Sequence, residues 1–134
     1  MDELINVLLN DSYTVELETN GSILIDKIHD DVIISMDYKL SSSGMNIKMN
    51  NDNLYLLNEY DQLKFIIGNE NDYIIAKEII NKYNKEFELC NNIIMIPVWS
   101  KNWNMDLKHL SKKVLNDNLG IKVLPQLHKI IGVK

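Results

Sequence analysis

The sequence has 134 residues, of which 46% are hydrophobic and 25% charged, as expected of one soluble globular domain with its own core. Its net charge of −5 argues against a nucleic-acid-binding surface, because phosphate contacts need a clustered basic face. All 14 basic residues are Lys, so an anion would be held by ammonium groups or backbone N–H groups and not by an Arg clamp.

Targeting and redox features are few. No apolar run approaches the ~18 residues of a membrane span. The acidic start, Met1-Asp2-Glu3, lacks the basic segment of a signal peptide, so we expect a cytoplasmic protein. The single cysteine, Cys90, excludes an internal disulfide, and one thiolate cannot bind an iron–sulfur cluster. We expect Cys90 to be a partly buried, inert thiol, because free cysteines commonly behave as small hydrophobes.

Helical and extended patterns alternate along the chain. Asp2 is placed to cap a short N-terminal helix. Four apolar residues of that helix recur at helical spacing: Leu4, Ile5, Leu8 and Leu9. Runs of β-forming and apolar residues predict five strands, over residues 13–18, 32–36, 63–67, 93–96 and 121–124.

Two longer helices are predicted between the later strands. The clearer one covers residues 72–85, with one apolar face formed by Ile75, Ile79 and Tyr83. The second begins after Asp106 and ends at residues 118–120, where Gly120 closes it. Its inner face is expected to contain Leu107, Leu110 and Val114. Residues 41–44 are expected to be a loop and residues 51–60 a weak helix.

Strands that alternate with helices predict an α/β fold with a mostly parallel sheet of about five strands, right-handed β–α units and the helices outside. No repeat, low-complexity segment or linker divides the sequence, so residues 1–134 are expected to form a single domain. Ligands of such sheets bind at the carboxyl ends of the strands, and the residues that follow each strand are therefore the candidate site.

Polar residues follow the first two predicted strands. Asn20-Gly21 comes after the first strand and also suits a simple turn with positive φ at the glycine. After the second strand, Asp37 and Lys39 lie two residues apart, so their side chains point the same way, into the mouth of the sheet. The alternative is a solvated ion pair worth under ~1 kcal/mol. Lys64 lies inside an apolar strand and therefore needs a partner or a polar cavity.

Five segments, taken in order and spacing, resemble the 7-carboxy-7-deazaguanine synthase family of the radical S-adenosylmethionine superfamily. They are Glu18-Thr19-Asn20-Gly21-Ser22, the Ser-Met-Asp-Tyr-Lys segment that opens residues 35–45, Gln62-Leu63-Lys64-Phe65-Ile66-Ile67, Ile96-Pro97-Val98-Trp99 and Gln126-Leu127-His128-Lys129. The resemblance covers residues 13–134. It implies the C-terminal part of an incomplete (β/α) barrel of the radical S-adenosylmethionine type.

The sequence also departs from the family. It contains neither the cluster-binding C-x-x-x-C-x-x-C loop nor the G-G-E-P turn. Ser41 stands where the family's P-S-S-G loop has Pro, and Ile96 stands where some bacterial members have Gln. We therefore expect a chain that represents part of the synthase and is inactive alone. Two alternatives remain, a stand-alone nucleoside-binding module and a non-catalytic subunit that pairs with a separate cluster-bearing chain.

The resemblance implies S-adenosylmethionine, a 4Fe–4S cluster and Mg²⁺ as cofactors of the intact family. That family converts 6-carboxy-5,6,7,8-tetrahydropterin into 7-carboxy-7-deazaguanine, on the route to queuosine and archaeosine. We expect this chain to bind none of these cofactors stably, S-adenosylmethionine weakly at most, and we assign it no catalytic or metal-binding residue. The implied cofactor-binding residues are Thr19, Asn20, Ser35, Asp37, Lys39 and Pro97. The implied substrate-binding residues are Gln126, His128 and Lys134, the last through its C-terminal carboxylate.

One predicted residue has a simpler interpretation as well, since a histidine in apolar company, such as His128, is more often a hydrogen-bonded core residue than a catalyst. For partners, we expect a homodimer or the missing N-terminal half, and neither nucleic acid nor a membrane. The strand at residues 13–18 would otherwise leave an open edge, and open edges tend to recruit another chain. The contact should include Tyr13 and Val15.

Overall fold

Five parallel strands, neighbours in chain order, form the sheet of this computed structural model, which describes residues 2–86, 92–98, 107–127 and 131–132. For residues 47 and 84–86 only the backbone is described. The strands are β1 (Glu16–Thr19), β2 (Ile33–Tyr38), β3 (Gln62–Ile67), β4 (Asn92–Pro97) and β5 (Lys122–Val123). The α-helices within these ranges are α1 (Asp2–Asn10), α2 (Glu70–Glu86) and α3 (Leu107–Asn116).

The sheet order is β1-β2-β3-β4-β5, and every neighbouring pair is parallel. The predicted α/β fold with a parallel sheet is thereby confirmed. Parallel neighbours need crossover connections, and such connections are almost always right-handed, so consecutive ones lie on the same face. In the register, Ile67 at the end of β3 pairs with Pro97 at the end of β4. All carboxyl ends therefore meet at one edge of the sheet.

One face of the sheet carries the apolar core. In β3, Leu63, Phe65 and Ile67 have no exposed surface, whereas the residues between them are partly exposed. Each such buried side chain contributes roughly 1.5–3 kcal/mol relative to an exposed one. The helix residues of the same cluster are Ile5 of α1, Tyr73, Ala76, Ile80 and Tyr83 of α2, and Leu110 and Val114 of α3. All three helices thus cover the same face.

The opposite face, here called the helix-free face, receives none of the helices in the described ranges. Side-chain alternation assigns it Ile33, Ser35 and Asp37 of β2, Gln62, Lys64 and Ile66 of β3, and Asn92, Ile94 and Ile96 of β4. Its isoleucines are absent from the apolar core cluster. An ion pair between Lys64 and Glu18 places Glu18 on this face as well. The helix-free face therefore mixes charged, polar and aliphatic side chains.

The connection between β2 and β3 differs from the prediction. The expected helix at residues 51–60 is a shorter 3-10 turn, Asn51–Tyr55, preceded by two more, Ser41–Ser43 and Asn46–Lys48. The Asn50 side chain caps the third turn by accepting a hydrogen bond from Asp52 N. Asparagine and aspartate side chains compete for backbone groups in this way, which favours turns over helix interiors.

Helix α2 begins earlier than predicted because Asn69 caps it. Asn69 Oδ1 accepts a hydrogen bond from Asp72 N at 2.9 Å, which satisfies one of the orphan donors of the first turn. The predicted apolar face packs on the core, with Tyr83 buried and Ile75 and Ile79 packed against the cluster, but it is not the most buried line of the helix. Ile75 and Ile79 lie at its margins, and the most buried line consists of Tyr73, Ala76, Ile80 and Tyr83. In α1, likewise, Ile5 is buried but Leu4 is exposed.

Strand β1 begins later than predicted because the residues before it hydrogen-bond to the end of α1. Tyr13 N donates to Leu8 O and Ser12 N donates to Leu9 O, with Ser12 at φ 64. This closes the helix before the chain extends. Helix α3 ends slightly earlier than predicted, at Asn116, and the positive-φ residue that closes it is Asn118, whose N–H donates to Leu115 O, while Leu119 N donates to Val114 O. Its inner face contains Leu110 and Val114, whereas Leu107 is more exposed than expected.

Several predictions concern residues outside the described ranges: the cap at Asp106, the thiol Cys90 and the turn residue Trp99. None of the helices within those ranges combines the length and apolar character that a bilayer crossing requires.

Candidate functional site

The carboxyl edge of the sheet brings together most of the predicted site residues. Thr19 ends β1, Asp37 is the penultimate residue of β2, and Lys39 follows β2. Pro97 ends β4, and Gln126 follows β5 by three residues. Because all five strands are parallel, these residues lie along one edge, as the carboxyl-end rule predicts.

The turn after β1 is built from its own polar side chains. Thr19 Oγ1 accepts a hydrogen bond from Gly21 N at 3.2 Å, and Asn20 Oδ1 accepts from Ser22 N at 3.1 Å. Gly21 has φ 69, so the predicted positive-φ turn is confirmed. The Thr19 hydroxyl is therefore occupied in shaping the turn, whereas Asn20 and Ser22 lie on its rim.

Asp37 and Lys39 form the pair that the spacing predicts. Lys39 Nζ lies 3.2 Å from Asp37 Oδ2, and the two side chains are 28% and 39% exposed respectively. A pair this open to water contributes under ~1 kcal/mol to stability. Either group can therefore exchange its partner for a ligand at little cost.

A pocket of about 200 Å³ opens between the turn after β1 and the segment that follows β2. Its lining consists of Asn20, Ser22, Lys39, Met45, Lys48 and Met49. Both charged residues are cationic, so the pocket favours an anionic or polar group. The two methionines supply an adaptable apolar surface. We call it the Lys39 pocket.

Close packing beneath the turn fixes this pocket. A Cβ on Gly21 would lie 2.7 Å from Met49 Cε and 2.9 Å from Met36 Sδ, closer than real contacts allow. Lys39 N donates to Met49 Sδ at 3.4 Å, and Asn50 N donates to Gly21 O at 2.9 Å. The 45–50 segment therefore packs directly on the ends of β1 and β2.

Asn53 was not identified by sequence reasoning, although it organises the chain after β1. Its side chain is fully buried and makes three hydrogen bonds to the backbone. Oδ1 accepts from Ile25 N at 3.0 Å, and Nδ2 donates to Gly21 O at 3.1 Å and to Ile23 O at 2.8 Å. Its partners are about 30 residues away in sequence, so no local pattern indicates them.

Asp72 was likewise not predicted as a site residue, only as the first residue of a helix. It is fully buried and accepts hydrogen bonds from the loop after β2 and from the end of β3. Its Oδ1 accepts from Ser41 Oγ at 3.1 Å and from Ser42 N at 3.2 Å. Its Oδ2 accepts from Gly68 N at 2.8 Å and from Ser42 Oγ. Asn69 and Asp72, three residues apart, form a capping pattern that could have indicated part of this arrangement.

Ser35 occupies the middle of the helix-free face. Its hydroxyl is buried and has no hydrogen-bond partner among the described residues. In the register it lies between Glu18 of β1 and Gln62 of β3. A buried hydroxyl without a partner costs about 1–3 kcal/mol, so a ligand or a further polypeptide segment that supplies the partner would be favoured here. The predicted need of Lys64 for a partner is confirmed by its 3.1 Å contact with Glu18.

Not every predicted site residue joins the Lys39 pocket. Pro97 is buried and points to the core side of the sheet, and Gln126 lies beyond β5. Neither lines the pocket, and Thr19, Ser35 and Asp37 do not line it either, so Asn20 and Lys39 are the predicted site residues in its lining. His128 and Lys134 lie outside the described residues.

The residues do not fit an iron–sulfur cluster, because the sequence has one cysteine and such clusters need several thiolates. Within the described ranges, no three His, Cys, Asp or Glu side chains are grouped so that they could hold a metal ion.

Curated proteins named 7-carboxy-7-deazaguanine synthase match almost the whole chain. One from Methanospirillum hungatei is 31% identical, over 98% of this chain and 52% of that protein. One from Clostridium acetobutylicum is 32% identical, over 96% of this chain and 58% of that protein. One from Thermoplasma acidophilum is 29% identical, over 87% of this chain and 53% of that protein. No family model matches the chain, and no solved structure does.

The resemblance that the five sequence segments indicated is therefore confirmed. The chain spans about half the length of the curated relatives it matches, which is consistent with the predicted C-terminal part.

Proposed function

We propose that this chain, a relative of the 7-carboxy-7-deazaguanine synthases over about half their length, provides the part of such an enzyme that holds S-adenosylmethionine. The intact enzyme would convert 6-carboxy-5,6,7,8-tetrahydropterin into 7-carboxy-7-deazaguanine. The sheet would form one side of a (β/α) barrel of the radical S-adenosylmethionine type. Its sequential, all-parallel strand order supports this proposal, because a barrel closes a sheet of that order.

The Lys39 pocket carries the proposal. It joins the two segments that most resemble the family, residues 18–22 and 35–45, at the edge of the sheet where α/β proteins bind ligands. S-adenosylmethionine offers a carboxylate, ribose hydroxyls and an adenine ring. Lys39 suits the carboxylate and Asp37 the ribose hydroxyls, and the methionines suit a ring face. Ser35 lies outside the pocket lining, and its buried hydroxyl, which has no partner among the described residues, would donate to the ligand only if the pocket opened toward it.

The chemistry would belong to the cofactor and the orientation to the protein. When bound and reduced, S-adenosylmethionine supplies the radical that acts on the pterin, and the residues at the carboxyl edge bind and align it. Gln126, His128 and the carboxylate of Lys134 would face the pterin. This chain by itself cannot hold the cluster, because it has one cysteine. It therefore requires residues from elsewhere for turnover and is inactive alone.

Binding of S-adenosylhomocysteine, a stable analogue, tests the proposal. Calorimetric titration of the chain should show weak binding, in about the millimolar range. Lys39→Met should weaken it further, because the variant keeps the stem and removes the charge. Lys108→Met, at an exposed position on α3, is the matched control and should bind like the parent chain. No binding by the parent chain, or equal binding by Lys39→Met, would refute the proposal.

The partner that completes the barrel would join at β1. Within the described ranges β1 pairs on one side only, with β2, and Tyr13 beside it is 63% exposed. An edge strand of this kind recruits another strand. That strand belongs to the N-terminal half of the synthase or to a second chain. In the absence of both, a homodimer covers the edge.

A separate cluster-bearing chain would make this protein a non-catalytic subunit. Mixing the two chains under reducing, anaerobic conditions would then yield 7-carboxy-7-deazaguanine, while this chain alone would yield none. Ligand binding without any such partner would support the stand-alone module.

A further inference from the structure

We infer that Asp72 is the positioning residue of the Lys39 pocket. It would act by fastening the Ser41–Ser43 turn to the end of β3, so that both walls of the pocket keep their places. This inference rests on the proposed function for the identity of the ligand. Its structural content, that Asp72 fixes the pocket, is independent of any ligand.

The contacts of Asp72 join three separate parts of the chain. Its carboxyl group receives Ser41 Oγ, Ser42 N and Ser42 Oγ from the turn, and Gly68 N from the end of β3. It lies on the first turn of α2, where Asn69 caps the helix. With no exposed surface, Asp72 has no water-accessible alternative for these partners. Loss of the carboxyl group therefore removes the shared acceptor of four partly buried donors, at a position that water does not reach.

The Ser41–Ser43 turn connects the two walls of the pocket. Lys39 precedes it and Met45 follows it, and both line the pocket. Leu40, between Lys39 and the turn, is buried, so the chain is anchored on that side as well. Gly44 closes the turn in the left-handed region at φ 67, and Met45 N donates to Ser43 Oγ. A displacement of the turn would therefore carry Met45 with it, whereas buried Leu40 holds the Lys39 side in place.

Steric fit restricts the same junction. A Cβ on Gly68 would lie 2.8 Å from Ser42 Cβ and 3.0 Å from Asp72 Oδ2. The turn, β3 and α2 thus meet without spare room. Only glycine at position 68 lets the backbone approach Asp72 so closely.

Ser41 shows how this chain holds the turn. It is the first residue of the turn, a position whose N–H has no partner within the turn and which therefore accepts proline. Leu40 before it is extended, at φ −89 and ψ 174, as a residue before proline prefers. Proline would stiffen the backbone through its ring. Here the Ser41–Asp72 hydrogen bond holds the turn in place of a ring.

Methionine methyl resonances report on the pocket without any ligand. With ¹³C-methyl methionine labelling, Met45 and Met49 probe the pocket, and the fully buried Met95 serves as the internal control. Asp72→Asn should shift or broaden the Met45 and Met49 signals and leave Met95 in place. Ser41→Ala, which removes one of the hydrogen bonds to Asp72 and a 3.3 Å hydrogen bond from Asn71 Nδ2, should have a smaller effect of the same kind. Ser41→Pro should leave both pocket signals near their parent positions.

Binding of S-adenosylhomocysteine provides the second measurement. Asp72→Asn should weaken it by about tenfold, which corresponds to the loss of a single net hydrogen bond. If Asp72→Asn does not fold, Ser41→Ala and Ser41→Pro are compared instead. The methyl signals of Met45 and Met49 should then differ between these two variants.

Two results would overturn the inference: unchanged Met45 and Met49 signals in Asp72→Asn, or signals in Ser41→Ala and Ser41→Pro that do not differ. If the parent chain binds no ligand but the methyl signals behave as stated, the proposed ligand is wrong and the positioning role stands.

Discussion

The ammonium group of Lys64 on β3 contacts the carboxylate of Glu18 on β1, with 3.1 Å between Nζ and Oε1. β2 lies between these two strands, so the pair crosses over β2 on the helix-free face. Ser35, whose buried hydroxyl has no partner within the described ranges, lies in register with Glu18. The pair and the hydroxyl thus form a polar centre on the helix-free face, opposite the apolar core.

Ser35→Ala should leave the free energy of unfolding unchanged or raise it by up to about 1 kcal/mol, because it removes a buried hydroxyl that finds no partner in the described part of the chain. Urea denaturation of the free chain measures this. Ser42→Ala is the matched control. It removes a hydroxyl that bonds Asp72, and it should cost about 1–3 kcal/mol. Equal losses in the two variants would show that Ser35 is hydrogen-bonded in solution.

Glu18 and Lys64 should be only weakly coupled. Glu18 is largely exposed, so the pair is screened by water. A double-mutant cycle of Glu18→Gln and Lys64→Met should give a coupling energy of about 0.2–1 kcal/mol, which falls as salt is added. Chemical denaturation of the four proteins at low and high salt is the measurement. A coupling that is larger and independent of salt would indicate a dry, covered helix-free face.

Gly21→Ala should destabilise the protein more than Gly120→Ala, although methionine side chains can shift to relieve part of the overlap. Both glycines have positive φ, 69 and 66, so both substitutions carry the same backbone strain of about 1 kcal/mol. Only at Gly21 does the new Cβ meet other atoms, Met49 Cε at 2.7 Å and Met36 Sδ at 2.9 Å. Overpacking of this kind adds typically about 1–3 kcal/mol. Thermal unfolding of the two variants measures the difference. Equal losses of stability would mean that the 45–50 segment does not pack on the turn.

Asp117 should make stability depend on acidic pH. The hydrogen bond from Tyr73, 2.6 Å long, and the ammonium group of Lys77 lower the pKa of its carboxyl group below the ordinary 3.8. The contribution of the Asp117 carboxylate to the free energy of unfolding is therefore complete above pH 3.8. It is lost as the pH falls through the lower pKa of the folded state.

Asp117→Asn should lower the unfolding midpoint at neutral pH, and this difference from the parent chain should shrink in strong acid. Thermal scans across the acidic range measure it. Asp11→Asn, at an exposed position after α1, serves as the control and should follow the parent profile. A constant difference between Asp117→Asn and the parent at all pH values would contradict the assigned cause.

The chain should form a homodimer at micromolar concentration if no other segment covers β1. Light scattering should give about twice the monomer mass of 15.6 kDa. Tyr13→Lys should shift the protein toward the monomer, because charges on an edge discourage strand pairing. Leu115→Lys, at an exposed position on α3 away from β1, should remain dimeric. A monomer that resists mild heating would show that the edge needs no partner.

The order of the elements and the gathering of most predicted site residues at one edge of the sheet were predictable from the sequence, because both depend on local patterns. Alternation of short apolar runs with helical periods specifies a parallel sheet, and a parallel sheet places the residues after its strands at one edge. Asn20 and Lys39, 19 positions apart in the sequence, line one pocket for this reason. The Asp37–Lys39 pair follows in the same way from the period of a strand.

The tertiary structure alone decided which polar residues are buried and what they hold. Asn53 and Asp72 were overlooked because their partners lie about 30 residues away, across loops whose path no propensity specifies. The most buried line of α2 was not identified for a related reason. The sequence marks Ile75 and Ile79 as apolar, but the helix rotates so that Ala76 meets the sheet. Packing against a second surface sets that rotation, and a helical period by itself leaves it undetermined.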